Sequence, residues 1–253
     1  MSQHTSLKTN QQGFTLVELA IVLMIIGLLI GGVLRGQELM NNARISTTVQ
    51  QVTAYQGATT TFQDTYSQNP GDMVTATSRV PGCTAANFCS NGDGNGILAV
   101  RKVGIGLMDL QTGAAAPGVE TTNFWKHLSM SHLISGVTPS ANPADPVMGE
   151  THPSAKIAGG FMVVFGQHVA NTREGLWLVL TNKLTGGGSA YDPNGGNPIS
   201  PIQARQIDQK MDDGMADMGD VVAPDDGSCD SGDPREYLNH ERKTCILVFS
   251  ISG

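Results

Sequence analysis

No basic surplus runs through this 253-residue chain: Lys and Arg together number 15 against 22 Asp and Glu, for a formal net charge of −7. Such a surface repels phosphate backbones, and the basic stretches Arg101-Lys102 and Arg242-Lys243 are only pairs. Nucleic acid is therefore not a predicted partner. The sequence also lacks a G-x-S-x-G elbow, an H-E-x-x-H pair, a Walker loop and a G-x-G-x-x-G turn after a strand. The six His are scattered; the closest, His127 and His132, stand i, i+5 on a predicted helix and diverge around its axis, which reads as surface or partly packed histidine. No catalytic residue is assigned, and the chain reads as a non-enzyme. Cysteine is scarce too: neither of the near pairs among the four Cys has the C-x2–4-C spacing of structural zinc. No internal repeat is visible.

Charge is also missing from Phe14 to Leu34, with one exception, Glu18. A run of about 20 apolar residues is long enough to cross a bilayer as a helix, and an acid inside it costs on the order of 2.5 kcal/mol or more unless it is partnered. The next cation along the helix is Arg35, far beyond i+4 reach. Glu18 therefore calls for a partner outside its own helix. A secretory signal would have a shorter apolar core and an A-x-A-like site, neither of which is present; a plain signal anchor fits the length but leaves Glu18 unexplained. Lys8 is the single full positive charge before the run and places the N-terminus in the cytoplasm, with everything after Leu34 outside.

Gly13-Phe14-Thr15-Leu16-Val17-Glu18-Leu19, followed by an unbroken apolar helix, resembles the prepilin N-terminus of type IV pilins and of the pseudopilins of type II secretion. The resemblance implies that a prepilin peptidase cuts after Gly13 and that Phe14 becomes the methylated mature N-terminus. Glu18, the fifth mature residue, would then meet the α-amino group of Phe14 in a neighbouring subunit, relieving two costly charges at once. The implied partners are the prepilin peptidase, other pilin or pseudopilin subunits, membrane lipid before assembly, an inner-membrane platform protein and a cytoplasmic assembly ATPase. The implied location is the bacterial inner membrane, single-pass with a periplasmic head, and then the filament. The implied function is that of a structural filament subunit, and a length greater than that of a typical major pilin favours a minor one; the same N-terminus could instead carry a binding module at a filament tip or anchor a periplasmic enzyme.

Beyond the membrane the helical period continues. Ile45, Val49, Val52, Tyr55, Thr59, Phe62 and Tyr66 fall on one stripe, and Asn69-Pro70-Gly71 writes the stop. The expected fold is α+β. A long N-terminal helix, transmembrane and then amphipathic, packs on a C-terminal head with an antiparallel sheet and short helices. The expected divisions are a leader at 1–13, a transmembrane and filament-core helix at 14–34, its amphipathic continuation at 35–68 and a head at 69–253. Strand signals are clearest at Phe161–Phe165, Leu176–Leu180 and Cys245–Phe249. A short helix is expected over Thr121–Ile134, with Phe124, Trp125, Leu128 and His132 on one face. Ser200-Pro201-Ile202-Gln203 opens a second helix with an N-cap Ser, Pro at its first position and Gln at the third, and Asp212-Asp213-Gly214 closes it. Gly186–Gly188 and Asp192–Pro198 read as exposed loops. The acids crowded between Asp208 and Glu241 read as a solvated loop, with a cationic partner or a metal as alternatives.

An exported head implies disulfides, and the simplest of the three connectivities joins Cys83 to Cys89 and Cys229 to Cys245. No cofactor is required. Calcium is suggested by Asn91-Gly92-Asp93-Gly94-Asn95-Gly96, where Asn91, Asp93 and Asn95 alternate before a Gly at the sixth position, as in the opening of a calcium loop. The competing reading is a polar turn. Lys102 stands at the twelfth position, where such a loop needs Glu, so acids from elsewhere, Asp109 or Glu120, would have to complete the site.

Overall fold

The computed structural model describes residues 13, 15–96, 98, 120–142, 146–167, 174–182, 184, 197–223 and 227–251. The leader up to residue 12, Phe14, Lys102, Asp109, the Gly186–Gly188 loop and Asp192 to Gly196 lie outside the described residues. The chain divides into two compact units, residues 1–43 and 44–253.

Helix α1 spans Leu16–Tyr66. In its part within the first unit, every large apolar side chain from Leu16 to Leu34 is exposed, from 45% at Ile26 to 87% at Leu16, and the apolar surface continues through Leu39 and Met40. In the second unit the same helix buries Ile45, Thr48, Val52, Tyr55, Ala58, Thr59 and Phe62, with Val49 and Tyr66 packed at the edge of that core. The predicted stripe is the buried stripe. Thr is a poor interior helix residue because its β-branch restricts χ1, and the hydroxyls of Thr48, Thr53, Thr59, Thr60, Thr61 and Thr65 each donate to the carbonyl four residues back, at 2.8 to 3.2 Å. Gln51 and Thr48 reach sideways to the backbone of Ser154, Lys156 and Ile157, and Gln56 donates to the Ser250 carbonyl at 2.7 Å. At the helix end, Ser67 takes a left-handed conformation and Arg79 donates to the Tyr66 carbonyl while lying 5.4 Å from the ring centroid.

The short helices are α2 (Ala76–Arg79), a 3-10 turn (Ala85–Asn87), α3 (Glu120–Met130) and α4 (Pro201–Met211). Strands β1 (Gly160–Gln167), β2 (Glu174–Thr181), β3 (Val221–Val222) and β6 (Leu247–Ser250) form one antiparallel sheet in the order β1-β2-β6-β3; β4 (Asp230–Ser231) and β5 (Glu236–Tyr237) form a separate hairpin. The three predicted strands are β1, β2 and β6, neighbours in that order, with β1 at the sheet's edge. Their runs are apolar without alternation because both faces are covered. Phe161, Val163, Leu176, Leu178, Leu180, Leu247 and Phe249 join the α1 and α3 side chains in the main core, whereas Met162, Trp177, Val179, Ile246 and Val248 pack with Leu184 and Val222 on the other side. Tyr55 anchors the main core, edge-on to Trp125 at 5.2 Å and to Phe161 at 5.4 Å.

Several local expectations are corrected. Helix α3 is not amphipathic: Thr121 through Met130 are all buried, because the helix is enclosed by the core rather than laid on it. It ends before His132, which is left-handed and exposed, while the Leu133 N–H closes onto the Leu128 carbonyl. Asn197 and Pro198 are buried rather than exposed, since they lead into the bridge between Ile199 and Cys245. The final strand starts at Leu247; Cys245 makes that isolated bridge instead. The acidic stretch is only partly solvated: Asp208 and Asp230 are buried, held respectively by the Tyr237 hydroxyl and the Arg235 guanidinium.

Candidate functional site

The apolar start of α1 begins with a pair of residues. Thr15 caps the helix, and Glu18 is its third residue. The Glu18 N–H donates to Thr15 Oγ1 at 3.2 Å, and Glu18 Oε2 accepts from both the Thr15 N–H and its hydroxyl at 2.9 Å. This is a reciprocal capping box, which satisfies helix donors that would otherwise face hydrocarbon. The sequence reading missed Thr15, although T-x-x-E ahead of an apolar run is the spacing that announces this motif. The hydrogen bonds supply donors, and the helix N-terminus a favourable dipole, but no full positive charge comes with them. Gly13 is exposed, and among the described residues no atom lies within 4 Å of where a side chain would begin.

The helix surface that follows has no cover of its own. The same holds at Gly27, Gly31 and Gly32, where an added Cβ would meet nothing within 4 Å. Among the described residues, one helix is long and apolar enough to cross a membrane. Residues 8–34 match the model of the prokaryotic N-terminal methylation motif. The chain carries the N-terminal signature of the type IV pilin and pseudopilin family. No curated protein and no solved structure matches it. A pilin-type signature with one apolar helix fits a single-pass inner-membrane protein that assembles into a filament, and it points to a structural subunit.

In the head, Cys83 is bonded to Cys89 and Cys229 to Cys245. The first bridge lies beside His127, which is fully buried rather than at the surface. Its Nδ1 accepts from the Gly71 N–H at 2.9 Å and its Nε2 faces the Ser90 carbonyl at 3.0 Å, so the ring is neutral with Nε2 protonated; burial holds its pKa down at about 4. Lys126, also buried, donates to the carbonyls of Asn87, Pro139 and Ala141 at 2.8 to 3.1 Å, and burial lowers its pKa to about 8. These two side chains fasten α3 to the disulfide loop and to the segment after it.

The residues of the calcium-like turn separate. Asn91 Oδ1 accepts from the backbone and hydroxyl of Thr77 at 2.8 and 3.0 Å. The Asp93 carboxylate accepts from the backbone and side-chain amide of Asn95. Asp93 also lies against two acids from outside the turn, Asp72 and Glu120, one carboxylate oxygen of each being within 4.8 Å of the others. Glu120 is one of the outside acids that the sequence offered; Asp72 was missed. A second acid group, Asp208, Asp212 and Asp213, closes the end of α4. Asp208 accepts from the Tyr237 hydroxyl at 2.8 Å and the Gly214 N–H at 3.1 Å, and burial, helped by the neighbouring Asp213 and Asp212 charges, pushes its pKa up to about 7.

Proposed function

We propose that this chain is a minor subunit of a type IV pilus or of a type II secretion pseudopilus. A prepilin peptidase cuts between Gly13 and Phe14 while the head lies in the periplasm, and the processed subunit is moved from bilayer to filament by an assembly ATPase and a membrane platform protein. Residues 14–34 serve first as anchor and then as filament core. Glu18 sets the register by meeting the α-amino group of a neighbour's Phe14, the one group in reach of that depth that brings the positive charge its capping box lacks.

The observation that carries this reading is Glu18 itself, the single acid between Phe14 and Leu34, five residues after Gly13. Intact-mass and N-terminal peptide measurement on the native protein tests it. The expected chain begins at methylated Phe14; a chain beginning at Met1, or cut beyond Leu34, overturns it.

A further inference from the structure

Three separate pieces of chain meet at Asp72, Asp93 and Glu120: the turn that leaves α1, the glycine-rich loop and the first turn of α3. Their packing is close, since a side chain at Gly92 would run into the Asp72 backbone at 2.4 Å. Asp72 is 5% exposed. Its Oδ2 accepts from the Gly96 N–H at 2.9 Å, but its buried Oδ1 has no hydrogen-bond partner among the described residues. Burying a carboxylate oxygen unpaired costs free energy, and in a native fold such an oxygen calls for an explanation. Glu120 Oε1 accepts from the Asp93 N–H at 2.9 Å, which brings that carboxylate to the same place.

We propose that Asp72, Asp93 and Glu120 bind a hard divalent cation of the calcium type, with the orphaned Asp72 Oδ1 as its innermost ligand. The chemistry fits because all three donors are carboxylate oxygens. Ligands on opposite sides of a calcium ion, each at about 2.3–2.6 Å, stand about 4.6–5.2 Å apart, so a group within 4.8 Å can share one ion. Water and loop carbonyls complete the six to eight oxygens that calcium takes. The ion would cross-link the end of α1, the loop and α3, a tie that no disulfide makes among the described residues. Asn91, turned to Thr77, takes no part.

The test uses the full chain in detergent, with calcium alone as the probe, read by calorimetric titration and by the thermal transition of Trp fluorescence in calcium or chelator. Wild type should bind about one calcium per head and melt several degrees higher in millimolar calcium than in chelator. Asp72→Asn should weaken binding at least tenfold and abolish the shift, and Glu120→Gln, at a half-buried position, supplies the same readout should Asp72→Asn fail to fold. Asn91→Ala should keep the full response. No binding by wild type, or an undiminished response in either carboxylate variant, would overturn the proposal.

Discussion

The two units of this chain handle apolar surface in opposite ways. In residues 16–34 the apolar side chains cover the whole circumference of α1 and none is buried, whereas from Ile45 onward the same helix confines them to one stripe and buries it. The first pattern is completed only by lipid or by other chains; the second is completed by its own head. Substitutions in the first unit should therefore act on assembly and leave head stability alone, and substitutions in the second should do the reverse.

The largest expected effect comes from Glu18→Val. Filament incorporation should fall to background while membrane insertion and the head's melting temperature stay unchanged; measured incorporation equal to wild type would break the comparison. In the head, Trp125→Ala empties the place where Tyr55 and Phe124 meet the indole and should cost about 3–5 kcal/mol in denaturant unfolding, with membrane insertion unaffected. Opening Cys229–Cys245, whose partners lie 16 residues apart, should cost about 3 kcal/mol, and opening Cys83–Cys89, 6 apart, about 2 kcal/mol, in the chain-entropy picture.

A subtler comparison lies within the head and concerns pH. Asp208 is buried with its pKa raised to about 7 from 3.8, so the folded state holds a proton that the unfolded chain releases, and this term lowers stability as pH rises from about 4 to 7. His127 and His152 act the other way: burial depresses both to about 4 from 6.5, so their contribution rises across about pH 4 to 6.5. Asp208→Asn removes the first term. Its melting temperature should climb more steeply with pH below neutrality than that of wild type; parallel profiles would rule out Asp208 as the source.

What was legible in the sequence follows from how local each signal is. The α1 stripe repeats over six turns, Ser200-Pro201 and Gln203 form a capping box within four residues, and strands β1, β2 and β6 are unbroken apolar runs; all stand in the structure, the last starting two residues later than read. Helix α3 was legible as a helix but not in its burial, since Asn123, Lys126 and His127 are polar side chains whose buried atoms are served by distant backbone or side-chain partners, among them Asn87, Gly71 and Ser90. Two-residue strands such as Val221–Val222 carry too little period to be seen. Asp72 is invisible for the same reason as the α3 contacts: its meeting with Glu120 spans a long stretch of chain and depends on where Gly71 and Gly92 let the loops close.

The sheet's two covered faces have a further consequence. Phe161, Leu178 and Phe249 are shut in on one side and Met162, Trp177 and Val248 on the other, so none of these six side chains faces the outside. A filament neighbour or ligand on this head does not meet those side chains, and the helices and connecting segments around them can diverge between subunits without disturbing the scaffold that displays them.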